Sequence, residues 1–176
     1  DVMLDIALAD GLATVVGPDR GTQDRATWEL RGRVWADDRT LVGASDAGAH
    51  LDLIDSFDYA TTVLAQGVRE QQVISLEAAI HQITGRPATY FGLIDRGTIR
   101  EGNHADLVVF DPATVGGRPM GRRYDLPGDS EAYRIYAEAD GIDHVIVNGV
   151  EIVRHGEHTG ALPGSLLRSG KDTRTV

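Results

Sequence analysis

No cysteine occurs among the 176 residues, which excludes disulfides, thiolate metal sites and cysteine nucleophiles together. That absence fits a reducing compartment, and the cytoplasm is the expected location. No apolar run reaches the length of a membrane span, and no basic-then-apolar signal opens the chain. Positive charge is in the minority: 17 Lys and Arg face 27 Asp and Glu, a formal net charge of −10. A surface of that sign argues against nucleic acid and against anionic membranes as partners. The glycines near 97–102 and 116–121 lack the spacing of a dinucleotide or phosphate loop. Ser45 lacks the G-x-S-x-G context of a serine hydrolase. There is also no His-x-His pair and no internal repeat.

What remains is 41% hydrophobic, enough for a core without staples. The first half has an α/β rhythm. "DVMLDIALADG" reads as a helix with Asp1 as N-cap, Leu4, Leu8 and Leu12 at spacing four, and Gly11 as its stop. A chain opening at the cap of an apolar helix reads as a piece of a larger protein. "LATVVGPDRG" is a strand or loop, and residues 22–32 are expected to hold a short helix. "TLVGA" (40–44) reads as a buried strand. A helix follows over Ser56–Glu70, with Ala60, Val63, Leu64 and Val68 on one face. Ser75 then caps a helix whose apolar face is Leu76, Ala79, Ile80 and Ile83, and Pro87 can open another.

Near residue 95 the pattern changes to a small all-β unit. Two strands are expected around Gly97–Arg100 and Leu107–Phe110. Residues 112–135, rich in Gly, Pro and Arg, read as a long excursion. "HVIVNGVEIVRHG" (144–156) places Asn148-Gly149, the preferred type I′ pair, between two β-branched runs. The tail from Thr159 is polar and expected to be partly mobile.

The stretch "TLVGASDAGAHLDL" (40–53) is unusual for a packing strand, because it ends in small residues around Asp46 and His50. Asp46 reads either as a loop residue capping the next helix or as a carboxylate delivered to a site. His50 is a candidate substrate contact. Two residues on a loop at 46 and 50 are a weak metal signature, since loop geometry is not fixed as a helix is. Asp52, Asp55 and Asp58 suit a helix N-terminus. His81 is expected to be structural, as are His104, His144, His155 and His158 in the β unit.

Taken in order, "VGASDAGAHLD", "SLEAAIHQITGRPATYFGLIDRGTIREGNHADLVVFDP" and "HVIVNGVEIVRHGEHTGALPG" resemble the C-terminal portion of the amidohydrolase superfamily, most of all its N-acyl-D-amino-acid deacylase (D-aminoacylase) branch. The resemblance implies an α/β fold: residues 1–93 as the last segment of a metal-dependent-hydrolase (β/α)8 barrel, with strand 40–44 as its last strand. It further implies residues 94–176 as part of a small β-sandwich. Catalytic groups of such barrels sit where strands end. Asp46 matches the position of the family's aspartate that approaches the metal and manages the proton. It is therefore the expected catalytic residue and a possible metal ligand. The resemblance also implies zinc and a small N-acyl amino acid substrate in the whole protein.

Catalytic zinc takes several protein ligands besides water. One aspartate and one loop histidine cannot make that site, so this chain alone is expected to hold no zinc tightly and to be inactive. Barrel and sheet edges left without neighbours invite self-association. A cyclic-amide hydrolase of the dihydropyrimidinase or hydantoinase type shares the C-terminal signals, and a non-catalytic β-rich interaction module is the third reading.

Overall fold

The computed structural model describes residues 2–14, 23–43, 45–52, 56–128 and 131–174. Five helices come first. Helix α1 spans Val2–Ala9 and stops where Gly11 and Leu12 take positive φ. Its expected cap, Asp1, lies outside the described residues, and Leu4, Leu8 and Leu12 are exposed. Helix α2 is Arg25–Ala36, further along than the expected 22–32. Its start is set by Asp24, whose carboxylate accepts from the Thr27 N–H at 2.9 Å. Helix α4 (Leu76–Ile83) starts as expected, with the Ser75 hydroxyl accepting from the Ala78 N–H, and α5 (Gly85–Tyr90) follows after Thr84.

Helix α3 falls where the apolar spacing puts it but changes hydrogen-bond register along its length. Ser56–Asp58 is a 3-10 turn, Tyr59–Thr62 is α-helical, and Val63–Glu70 is π-helical. The wider turn brings Val63, Leu64 and Ala65 in succession onto the buried side. Gly67 lets Trp35 of α2 approach, because a Cβ there would lie 2.7 Å from the indole.

The core lies where these helices meet the β unit. Val63, Leu64, Ala79 and Val115 are buried together, flanked by Trp35, Val42, Ile80, Phe110 and Ile142. Val115 is the key of this contact: it follows the strand Leu107–Phe110 in sequence yet is only 1% exposed among helical residues. Arg69 of α3 reinforces the junction by donating to the Val115 carbonyl at 2.6 Å.

The β unit is antiparallel throughout its described ladders. Strands β1 (Leu107–Phe110), β6 (Ile142–Val147), β7 (Val150–Arg154) and β8 (Glu157–His158) form one sheet in the order β1-β6-β7-β8. Asn148 and Gly149 both adopt positive φ, 48° and 78°, as a type I′ hairpin requires. The described residues of the expected excursion at 112–135, with those up to Asp140, carry two short ladders and form an arm. Strand β2 (Gly116–Gly117) pairs with β5 (Ala139–Asp140), and β3 (Gly121–Arg123) pairs with β4 (Arg134–Tyr136) nested inside.

Two expected strands are not formed among the described residues. Residues 40–43 make no ladder, and only Val42 joins the core. A strand of a parallel sheet needs hydrogen-bonding neighbours on its edges, and no described segment supplies them. Gly97–Arg100 is likewise irregular, with Ile99 88% exposed. The tail, expected to be partly mobile, is tied back along its length: Thr159 N–H donates to the Ile152 carbonyl, Asn148 Nδ2 to the Pro163 carbonyl, and Arg174 N–H to the Gly92 carbonyl.

Asn148 therefore acts beyond its turn. Its Oδ1 meets His104 Nδ1 at 3.0 Å, and its own N–H donates to Asp106, which is ion-paired to Arg96. Asn148→Ala is expected to cost about 2 kcal/mol, from a strained left-handed turn and lost hydrogen bonds. Asn148→Gly restores the turn alone and should recover roughly half. Urea midpoints of the three proteins check this, and a glycine variant as stable as the parent would show that the side-chain bonds contribute nothing.

Candidate active site

Asp46 and His50 share one exposed turn over residues 45–52. The turn is built locally. Ser45 Oγ accepts from the Ala47 N–H at 2.9 Å and shares a 3.1 Å hydrogen bond with Ser56 Oγ at the start of α3. The Ala49 N–H donates to the Asp46 carbonyl at 3.1 Å. Gly48 has φ +96° with open space where a Cβ would stand. It is glycine here for the backbone conformation, not for close approach. Among the described residues the Asp46 carboxylate has no hydrogen-bond partner and caps no described helix. It is an available acceptor.

The other candidates are dispersed. Asp58 lies at the start of α3, where the Thr62 hydroxyl donates to it at 3.3 Å, and Asp55 falls outside the described residues. His81 is exposed on α4, and His104 is bound to Asn148. Among the described residues no group of three or more His, Asp or Glu could hold a metal ion. Asp46 and His50 share one turn because they are four residues apart, and no third ligand joins them among the described residues.

His144, His155 and Glu151 do meet, on the β6–β7 hairpin. His144 Nδ1 bonds one oxygen of Glu151, Arg154 engages the other, and the two imidazole rings lie 5.1 Å apart. The Arg154 guanidinium first, and the His144 hydrogen bond second, hold the Glu151 carboxyl below its ordinary value of 4.5. A lowered carboxyl stabilises the fold above its unfolded value and loses that contribution as pH falls through the folded one. Acid unfolding followed by circular dichroism should therefore begin at higher pH in Arg154→Gln than in the parent. Equal acid midpoints would show that the cluster carries no such linkage.

The arm of β3 and β4 is what reading the sequence missed. Tyr124 and Tyr133 pack at 5.7 Å, Arg122 lies 4.4 Å over Tyr133, and Arg123 and Arg134 flank Tyr136. The alternation of Arg and Tyr at 122–124 and 133–136 was the available signal. The arm touches the turn directly: the Ile135 N–H of β4 donates to the Leu51 carbonyl at 2.7 Å, next to His50.

The chain is 45% identical over 111 residues to an N-acyl-D-aspartate deacylase of Alcaligenes xylosoxydans xylosoxydans, covering 62% of this chain and 20% of that protein. It is 37% identical over 140 residues to the N-acyl-D-glutamate deacylase of the same organism, covering 77% and 26%. A crystal structure of the N-acyl-D-glutamate deacylase of Bordetella bronchiseptica, with zinc and a phosphonate inhibitor, is 32% identical with a TM-score of 0.42, over 60% of this chain and 21% of that one. The chain thus spans about a fifth to a quarter of the length of the curated relatives it matches. The model of the amidohydrolase family matches residues 3–153, and the chain belongs to that family.

Proposed function

We propose that the whole protein of which these residues form part hydrolyses the amide bond of N-acyl-D-amino acids, releasing a carboxylate and a D-amino acid. The observation that carries this reading is the 45% identity to an N-acyl-D-aspartate deacylase. Residues 1–93 then belong to a (β/α)8 barrel, and 40–44 becomes its last strand once neighbouring strands supply the ladder. Residues 94–176 belong to the small β-sandwich.

Amide hydrolysis needs a group that takes a proton from the attacking water and returns it to the leaving nitrogen. Asp46 is that group in this reading: its carboxylate is exposed and unengaged among the described residues, on a turn braced by Ser45 and Ser56. His50, on the same turn, contacts the substrate. Zinc is the metal the family resemblance implies. The residues present do not fit a complete zinc site, since Asp46 has no companion ligands among the described residues. The other ligands come from elsewhere in the whole protein.

The test is hydrolysis of N-acetyl-D-amino acids by the full-length protein, beside their L-enantiomers and a hydantoin, with and without a chelator. Chelator-sensitive turnover of the D-substrates supports the reading. Turnover confined to the hydantoin would replace it with a cyclic-amide hydrolase. In parallel, the 176-residue chain is expected to show no turnover and no sub-micromolar zinc affinity. Turnover by it would mean that a working site assembles from this segment, and sub-micromolar zinc binding would mean that its own residues hold the metal.

A further inference from the structure

We propose that Arg122 reads the side-chain carboxylate of an acidic N-acyl-D-amino acid, a specificity that rests on the deacylase reading above. Four guanidinium groups line the arm. Arg118 is ion-paired to Glu138 and Asp140, Arg123 to Glu138, and Arg134 to Asp125. Arg122 differs from these three. It is exposed, and among the described residues its only recorded partner is the ring of Tyr133.

Strand alternation separates the two sets. Arg123 pairs with Arg134, and both stand on the face of Tyr136, where the carboxylates neutralise them. Arg122 pairs with Ile135 on the opposite face, alongside Tyr124 and Tyr133. In a chain of net charge −10, with 27 acidic residues, one cation of the arm thus has no carboxylate partner among the described residues. The guanidinium lies 4.4 Å over the Tyr133 ring, and such stacking lowers the entropy that a planar fork loses when it binds. A carboxylate is the ligand that such a fork takes in two parallel hydrogen bonds.

The position of the arm connects this cation to the proposed chemistry. In the Arg122–Ile135 pair the Ile135 N–H donates to the Leu51 carbonyl, so the end of the 45–52 turn lies beside β4. Strand β4 thus joins the two: the turn of Asp46 is bonded to it through Leu51, and β3, which carries Arg122, pairs with it as well. A substrate with its amide at Asp46 can direct a second carboxylate towards the arm.

The experiment compares kcat/KM for N-acetyl-D-aspartate and N-acetyl-D-leucine in the full-length protein and its Arg122→Ala and Arg122→Lys variants. The expected result is a fall of about 10- to 100-fold on the aspartate substrate in Arg122→Ala, with the leucine substrate changed by less than about threefold. Arg122→Lys should fall between, since it keeps the charge and loses the fork. Tyr133→Leu, which removes the stack, should raise KM for the aspartate substrate and leave kcat unchanged. Equal losses on both substrates would overturn the proposal by moving the contact to the α-carboxylate or to the fold. An unchanged rate on the aspartate substrate would overturn it as well. No turnover of either substrate by the parent protein would overturn the deacylase reading and this assignment with it.

Discussion

Replacing Gly141 by alanine is expected to destabilise the protein by about 3–4 kcal/mol, a large share of the stability of an ordinary domain. Gly141 has φ +71°, and a Cβ there would lie 2.4 Å from the backbone N of Val115 and 2.7 Å from the carbonyl carbon of Thr114. Neither neighbour is a flexible side chain that could step aside. The turn at 111–115 is closed by the Asp111 N–H donating to the Gly141 carbonyl and by the Val115 N–H donating to the Asp111 carbonyl. Pushing that turn away withdraws Val115 from the cluster with Val63, Leu64 and Ala79. The loss then combines left-handed strain, about 1–2 kcal/mol, with a cavity where helices and β unit meet. Gly149→Ala is the control. Its φ is +78°, but nothing lies within 4 Å of its Cβ position. It should show the strain alone, about 1 kcal/mol. Urea midpoints that fall equally in both variants would remove Val115 from this account.

Asp46→Asn in the full-length protein is expected to lower kcat by about 10²- to 10⁴-fold, the usual contribution of a positioned acid or base. The fold should not change. Among the described residues the carboxylate makes no hydrogen bond, and the turn is held by Ser45 Oγ and by the main chain of Asp46. The amide keeps the shape and loses the ability to accept and return a proton. A rate within about threefold of the parent, against the expected orders of magnitude, would mean that another group manages the proton. Unchanged rate with a shifted urea midpoint would make Asp46 a structural residue instead.

Local signals carried the readings that succeeded. The Asn148-Gly149 hairpin, the Ser75 cap and the apolar face of Ser56–Glu70 each depend on residues close together in the chain, and each stands where spacing put it. The failures share a cause. "TLVGA" has the composition of a buried strand, but a strand exists only when another backbone pairs with it, and no described segment does so here. The same holds for Gly97–Arg100.

Family membership and the candidacy of Asp46 were legible from the order of motifs along the chain, because motifs are local and survive as spelling. The excursion was not legible as an arm. Its strands β2 and β5, and β3 and β4, pair across a long separation, and the pairing register appears in no local pattern. Nor could spacing show that Val115 enters the helical core, or that β4 lies against the turn of Asp46 and His50. Those contacts depend on which surfaces meet after the chain has turned back on itself. Side-chain identity specified the turns and caps; the closing of distant segments decided which charged groups share a site.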